Sequence, residues 1–194
     1  MKSNVLVLVF MTIVSFLGFT GCDIDNGNIM SQERTVEGFN GIKLDGAGNV
    51  NIHAGENFKV VVTTDSNHLD RVLTTVDGNI LRITQRSGSF NAKELTIDVY
   101  LPELTSVSLS GAGNLTVKTG NASELDFSLS GAGNINAQDF EVKNVNIIHS
   151  GVGNARIWAT NSLNGTLSGV GNIRYKGNPT INVNREGIGN ISPL

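Results

Sequence analysis

The chain has 194 residues, a formal net charge of −3 and a single cysteine. Apolar residues make up 39% and charged residues 16%, enough for one domain with a real core. With a mildly acidic balance and no basic block, the composition excludes nucleic-acid binding as the main task, and one cysteine excludes an internal disulfide.

Residues 1–21 read as an export signal: Lys2 gives the positive start, and Val5 to Phe19 is apolar except for Thr12, Ser15 and Gly18. That run is short for a membrane span and is followed by small residues, as in a cleaved signal. Phe19-Thr20-Gly21-Cys22 is similar to the lipobox of bacterial lipoproteins, with Phe19 where Leu is usual. Cys22 is then the lipidation site and the membrane the first partner, held stably once two or more acyl chains insert. Loss of Lys2 takes the net charge from −3 to −4. Residues 22–34 are polar and form a flexible tether; the twelve from Asp23 to Arg34 reach roughly 20 Å. Asp23 and Asp25 resemble the acidic signal that sends some lipoproteins to the cell surface, and equally an ordinary acidic linker.

Residues 35–194 form the domain, less regular over 35–105 and regular over 106–194. In the first part, Phe58, Val60 and Val62, then Leu81 and Ile83, then Leu95, Ile97, Val99 and Leu101 alternate at the period of half-buried strands. Ser66 to Leu73 is expected as one short helix capped by Ser66 or Asp65, leading through Asp77-Gly78 into the next strand. Ser87-Gly88-Ser89-Phe90-Asn91 is expected as a decayed copy of the motif that dominates the rest.

That motif is Gly-x-Gly-Asn, in six copies opening at Gly46, Gly111, Gly131, Gly151, Gly169 and Gly187. From Gly111 the steps are 20, 20, 18 and 18 residues, and a fixed period of that length means one structural unit stacked on itself. Around each copy, inward positions such as Val107, Leu109, Leu115 and Val117 alternate with Ser108, Ser110, Thr116 and Lys118. Glycines at two inward positions mark a corner or a close backbone approach. The expected fold is all-β: a single-chain β-solenoid resembling a right-handed parallel β-helix, with coils of about 18–20 residues turning at Gly-x-Gly-Asn corners. The 65-residue interval from Gly46 to Gly111 is about three coils long. Stacking would align Asn49 or Asn114 with Asn134, Asn154, Asn172 and Asn190 in a ladder.

Val36-x-x-Phe39, Ile42-x-Leu44, Leu101-Pro102-Glu103-Leu104 and the serial Ser-Gly-x-Gly-Asn copies together resemble the auto-transporter adhesin head domain called GIN, over roughly 35–194. The resemblance implies a β-helix-like fold and an adhesive surface role. It carries over no catalytic residues.

Rival chemistries fit poorly. No copy reads Gly-x-Gly-x-x-Gly into a helix, and no Gly-Lys-Ser/Thr follows, so a phosphate loop is rejected. Calcium β-rolls need an Asp where this chain has a neutral Asn. Polysaccharide-active β-helices need clustered carboxylates, whereas Glu124, Asp126, Asp139, Glu141 and Glu186 do not recur coil to coil. His53, His68 and His149 show no metal spacing. We therefore expect no catalytic residues, no metal site and no cofactor.

Three features depart from the repeat. The inward residue two before the first glycine runs Leu44, Leu109, Leu129, His149, Leu167, Arg185. His149 is a candidate buried pH-sensitive group, or simply a neutral histidine with one backbone partner; Arg185 reaches water at the end of the stack. The middle residue of each motif is Ala, Ala, Ala, Val, Val, Ile. Either the corner reverses parity and buries it, which is the expectation taken here, or it forms an outward apolar stripe suited to self-association. Trp158, on the outward phase, is a candidate surface-binding residue for a sugar, with Tyr100 and Tyr175 as further candidates. The functional expectation is a non-catalytic lipoprotein of the cell envelope, held at the outer membrane with its displayed face undetermined, binding glycan or protein. The alternative is a structural or self-associating, homo-oligomeric envelope component; the minor alternative is a polysaccharide-active enzyme.

Overall fold

A computed structural model of the chain describes residues 27–194 apart from Ser89 and Thr119. The export signal of residues 1–21 and Cys22 lie outside the described residues. Among the described residues fifteen strands form a single hydrogen-bonded sheet, and the fold is all-β. In chain order the strands are β1 (Ile29–Arg34), β2 (Gly41–Leu44), β3 (Ala47–Ala54), β4 (Lys59–Asp65), β5 (Val72–Asp77), β6 (Ile80–Gln85), β7 (Leu95–Leu101) and β8 (Ser106–Leu109). They continue as β9 (Ala112–Val117), β10 (Gly120–Leu129), β11 (Ala132–His149), β12 (Ala155–Leu167), β13 (Ile173–Lys176), β14 (Thr180–Arg185) and β15 (Ile191–Pro193). Period-two alternation explains them. In β7, Leu95, Ile97, Val99 and Leu101 are buried while Thr96, Asp98 and Tyr100 are half-exposed.

The spacing of the motifs is the register of the sheet. Leu44, Leu109, Leu129, His149, Leu167 and Arg185 lie opposite one another in successive parallel pairs. On the far side of each corner the same holds for Val50, Leu115, Ile135, Ala155, Ile173 and Ile191. Each repeat thus covers the apolar row of the one before, and the inward residues from Ile42 to Ile173 form one continuous buried cluster.

The irregular half differs from expectation. The interval between Gly46 and Gly111 is not three coils: only β6 and β7 continue the parallel stack, against β2 and β3. β4 pairs antiparallel with β7 and β1, and β5 pairs antiparallel with β6; Ile29–Arg34, expected as the end of a flexible tether, is thus a strand of the sheet, its backbone paired along β4. Ser66 to Leu73 does not form a helix. A 3-10 turn spans Leu69–Arg71, capped at His68 without a side-chain bond. Asp65, a proposed cap, accepts instead from the Lys93 backbone at 2.6 Å, and β-branched Val72 already opens β5. Ser87 to Asn91 lies in the connection from β6 to β7, the strands that flank the first corner from below; Ser89 lies outside the described residues, and Phe90 stacks on His68 with ring centroids 4.8 Å apart. Arg34 laces this end together by donating to the carbonyls of Leu69, at 2.7 Å, and Val72. Among the described residues no helix is long and apolar enough to cross a membrane.

Candidate functional site

The corners are where the repeat exposes most of its chemistry, and the glycines in them are dictated by stacking. The second glycine of every copy has φ between +136° and +157°, a region L side chains avoid. A β-carbon at Gly113, Gly133, Gly153, Gly171 or Gly189 would sit 1.6–1.8 Å from the carbonyl oxygen of the equivalent glycine one repeat earlier. At the first glycines from Gly111 onward the same distance is 1.8–2.1 Å. Side-chain-free backbone is the only material that packs there.

Each corner's asparagine joins a ladder. Asn114 donates from Nδ2 to Asn49 at 2.9 Å, and Asn134 to Asn114 at 2.9 Å. From Asn154 onward the backbone N–H joins in: those of Asn154, Asn172 and Asn190 donate to the preceding asparagine Oδ1 at 3.1, 3.1 and 3.0 Å. The asparagine column is structural, as its spacing implies.

The middle residue of the motif is a correction. Ala47, Ala112, Ala132, Val152, Val170 and Ile188 are all exposed and stack in register. Alternation runs through the corner without reversing: both glycines keep the inward phase against the backbone of the previous repeat, so the residue between them stays outward. The result is an apolar stripe that widens from alanine to isoleucine along the stack.

His149 is fully buried, and its Nε2 lies 2.8 Å from the Gly153 carbonyl, while Nδ1 has no partner. Arg185 repeats that contact two repeats along, from Nη1 to the Gly189 carbonyl at 3.2 Å, and also reaches Asn190 Oδ1 at 3.3 Å. Both polar intruders in the leucine column thus serve the carbonyl of their own corner. Trp158 is half-buried on the outer side, in register between Glu141 and Lys176. The Lys176 ammonium lies 3.6 Å from the centroid of its ring, so one face of the indole is occupied by a cation–π contact. Tyr100 is stacked on His53 at 4.3 Å, and Tyr175 packs against the core. The three aromatic candidates do not form one patch: Tyr175 lies in register with inward Ile157, and Tyr100 and Trp158 stand on β7 and β12, which do not pair.

Charged groups gather in two places. Before the first corner, Asp45 receives Arg82 Nη2 at 2.5 Å and Lys43 Nζ at 3.1 Å. Burial pushes its pKa up, but the hydrogen bonds and charges of Arg82 and Lys43 outweigh this and hold the carboxyl below its ordinary range. A cleft of about 820 Å³ is lined by Glu103, Leu104, Asn121, Glu124 and Asp126. Asn146 bridges its Glu124 and Asp126 at 3.2 and 2.9 Å. Among the described residues no three His, Cys, Asp or Glu side chains converge as a metal site.

Two residues escaped the sequence reading. Gln85 stands where a repeat below the first corner would be: its Oε1 accepts the Ala47 N–H and its Nε2 donates to the Ala47 carbonyl, both at 2.7 Å. Lys176 is the other; its in-register position opposite Trp158, one 18-residue step away, was the available signal.

The family described as "putative auto-transporter adhesin, head GIN domain" matches residues 38–119 and 111–179. The chain belongs to this family. Among solved structures, a "putative adhesin" of Bacteroides fragilis is 21% identical, with 86% of this chain and 97% of that one covered and a TM-score of 0.58. A "putative lipid binding protein" of Parabacteroides distasonis is 18% identical over 87% of this GIN chain and 98% of that one, with a TM-score of 0.45. The first of these likenesses establishes a shared fold. No curated protein matches.

Proposed function

We propose that this GIN-family chain is a non-catalytic, lipid-anchored binding module of the cell envelope, with its sheet wound as a right-handed β-solenoid. The observation that carries the reading is the in-register stacking of like polar residues on the outer surface. Ser108, Ser128, Thr166 and Asn184 form one column, interrupted by exposed Ile148, and Ser106, Asp126, Asn146, Asn164 and Asn182 form the unbroken neighbouring one. Columns at a strand spacing of about 4.8 Å offer hydroxyl and amide groups in a regular array with little charge. Such an array suits an extended glycan or protein strand held by many weak hydrogen bonds. Family membership favours an adhesive role at the envelope over catalysis, and the two carboxylates of the cleft are both engaged by the Asn146 amide.

The anchor rests on Cys22 and the residues before it. Three measurements test the whole reading. Palmitate labelling of wild type and Cys22→Ala should show label in the first alone. Digestion of intact cells with protease should cut the protein if it faces outward, and a glycan array probed with the purified full chain should then retain it. Retention that survives replacement of Asn164 and Asn182 by Ala would refute the polar columns as the contact face.

A further inference from the structure

From β10 onward each repeat enters the leucine column along a strand. Residues 120–124 of β10 lie parallel to residues 140–144 of β11, and Asn144 continues to Ser162 of β12 and Thr180 of β14. The repeat before β10 has no such strand. β8 begins at Ser106, and the chain reaches it from β7 through residues 102–105, which form no strand; Pro102 has no N–H to give to a ladder. The Asp126 N–H donates to the Thr105 carbonyl at 3.0 Å, but the Thr105 N–H goes the other way, to the Asn40 carbonyl at 2.8 Å. β10 is therefore paired on both sides over residues 126–129, and on its β11 side alone over residues 120–125.

That free stretch of edge borders the cleft of about 820 Å³, a volume in the range of ligand-holding clefts. Ala54, Gly55 and residues 102–105 supply the rest of its lining. Leu104 is buried and Ala122 packs against the core, so the cleft is apolar at depth. Its rim is acidic: Glu103, Glu124 and Asp126 are exposed, and among the described residues no Lys, Arg or His lines it. The Asn146 amide donates to both Glu124 and Asp126, but a neutral group leaves their charge uncompensated. The outer edges of β1 and β5 are also unpaired among the described residues. The stretch in β10 differs from them in lying inside the sheet, beside a walled cleft lined with one sign of charge.

We propose that this cleft takes an extended basic segment of another protein, added as a strand to the free edge of β10. Two observations select that occupant. The unpaired edge, roughly 16 Å long, is matched by the evenly spaced main-chain donors and acceptors of a peptide strand, which a lone cation or a sugar lacks. The uncompensated carboxylates of Glu103, Glu124 and Asp126 repel an acidic segment and attract Lys or Arg. Alternation then sets the partner's pattern. Side chains that point in meet Gly120 and Ala122, whose small size leaves room for a valine or leucine, and those that point out meet the acidic rim. The cleft shares only Asp126 with the polar columns, so this site goes beyond that reading and stands whether or not the columns bind.

The test is fluorescence polarisation of a labelled, end-blocked peptide of alternating lysine and valine, titrated with the purified full chain. Wild type should bind it saturably, and should bind the matching glutamate–valine peptide at least about tenfold more weakly. Glu103→Lys and Glu124→Lys should each weaken the lysine peptide by about tenfold. Glu186→Lys, an equal charge change at an exposed position after β14, should leave it unchanged. N-methylation of every second peptide residue, in the phase that faces β10, should abolish binding because it removes the strand's donors. No saturation with the lysine peptide, equal binding of the glutamate peptide, or equal loss in Glu186→Lys would overturn the site. Binding that survives N-methylation in both phases would leave charge as the whole attraction and overturn the added strand. The variant with Asn164 and Asn182 replaced by Ala should bind the peptide as wild type does; a loss there would move the contact to the polar columns and overturn the cleft.

Discussion

His149 donates from Nε2 to the carbonyl of Gly153 at 2.8 Å, four residues ahead in its own corner, within a column that is leucine in both adjoining repeats. The bond requires the proton on Nε2 and leaves Nδ1 bare in an apolar layer. His149→Leu removes the donor and orphans a carbonyl, so it should lower stability by about 1 kcal/mol. Thermal denaturation of both proteins checks this: a variant as stable as wild type would show that the bond contributes nothing beyond the packing a leucine supplies.

The corners should be intolerant of a single methyl group. Gly133 has φ of +146° and its β-carbon would lie 1.7 Å from the Gly113 oxygen, so Gly133→Ala should cost about 4 kcal/mol or more, or prevent folding. Gly38 has φ of +79° with nothing within 4 Å of a β-carbon. There Gly38→Ala carries conformational strain alone, about 1–2 kcal/mol. Urea denaturation of the two variants separates stacking from backbone strain, and similar losses would show that the corner glycines are needed only for their dihedral angles.

Asp45 gives the acid limb of stability its direction. Its folded pKa is depressed because the hydrogen bonds from Arg82 and Lys43 outweigh the opposing effect of burial. The stability it contributes is therefore fully present above the ordinary carboxylate value, about 3.9. It is lost as pH falls through the lower folded value. Asp45→Asn should reduce stability at neutral pH and flatten the decline with acidification. A variant with an unchanged acid limb would show that other carboxylates set it.

The single tryptophan makes its own environment measurable. Lys176 covers one face of Trp158 at 3.6 Å, a contact worth about 0.5–1 kcal/mol at an exposed site. Lys176→Ala should change the intrinsic fluorescence while leaving the fold intact by circular dichroism. If Trp158 is a sugar platform, glycan titration should perturb the emission of the variant more than that of wild type, because the second ring face has been freed. No response in either protein would rule out stacking at this residue.

The strands, their inward and outward faces and the motif spacing were legible because they rest on local rules. Alternation at period two assigns Leu109 to the core and Ser108 to the surface whatever surrounds them, and a fixed step between identical corners becomes a register. The asparagine ladder followed from the same arithmetic. What the tertiary structure decided were relations between residues far apart in the chain. That Val152, Val170 and Ile188 stand outward depended on how closely one corner's backbone approaches the next. The antiparallel strands between Gly46 and Gly111 and the Gln85 side chain standing in for a repeat are long-range pairings, which no local pattern encodes. Burial of an apolar row is determined by the next row to cover it, and that row lies a whole repeat away in the chain.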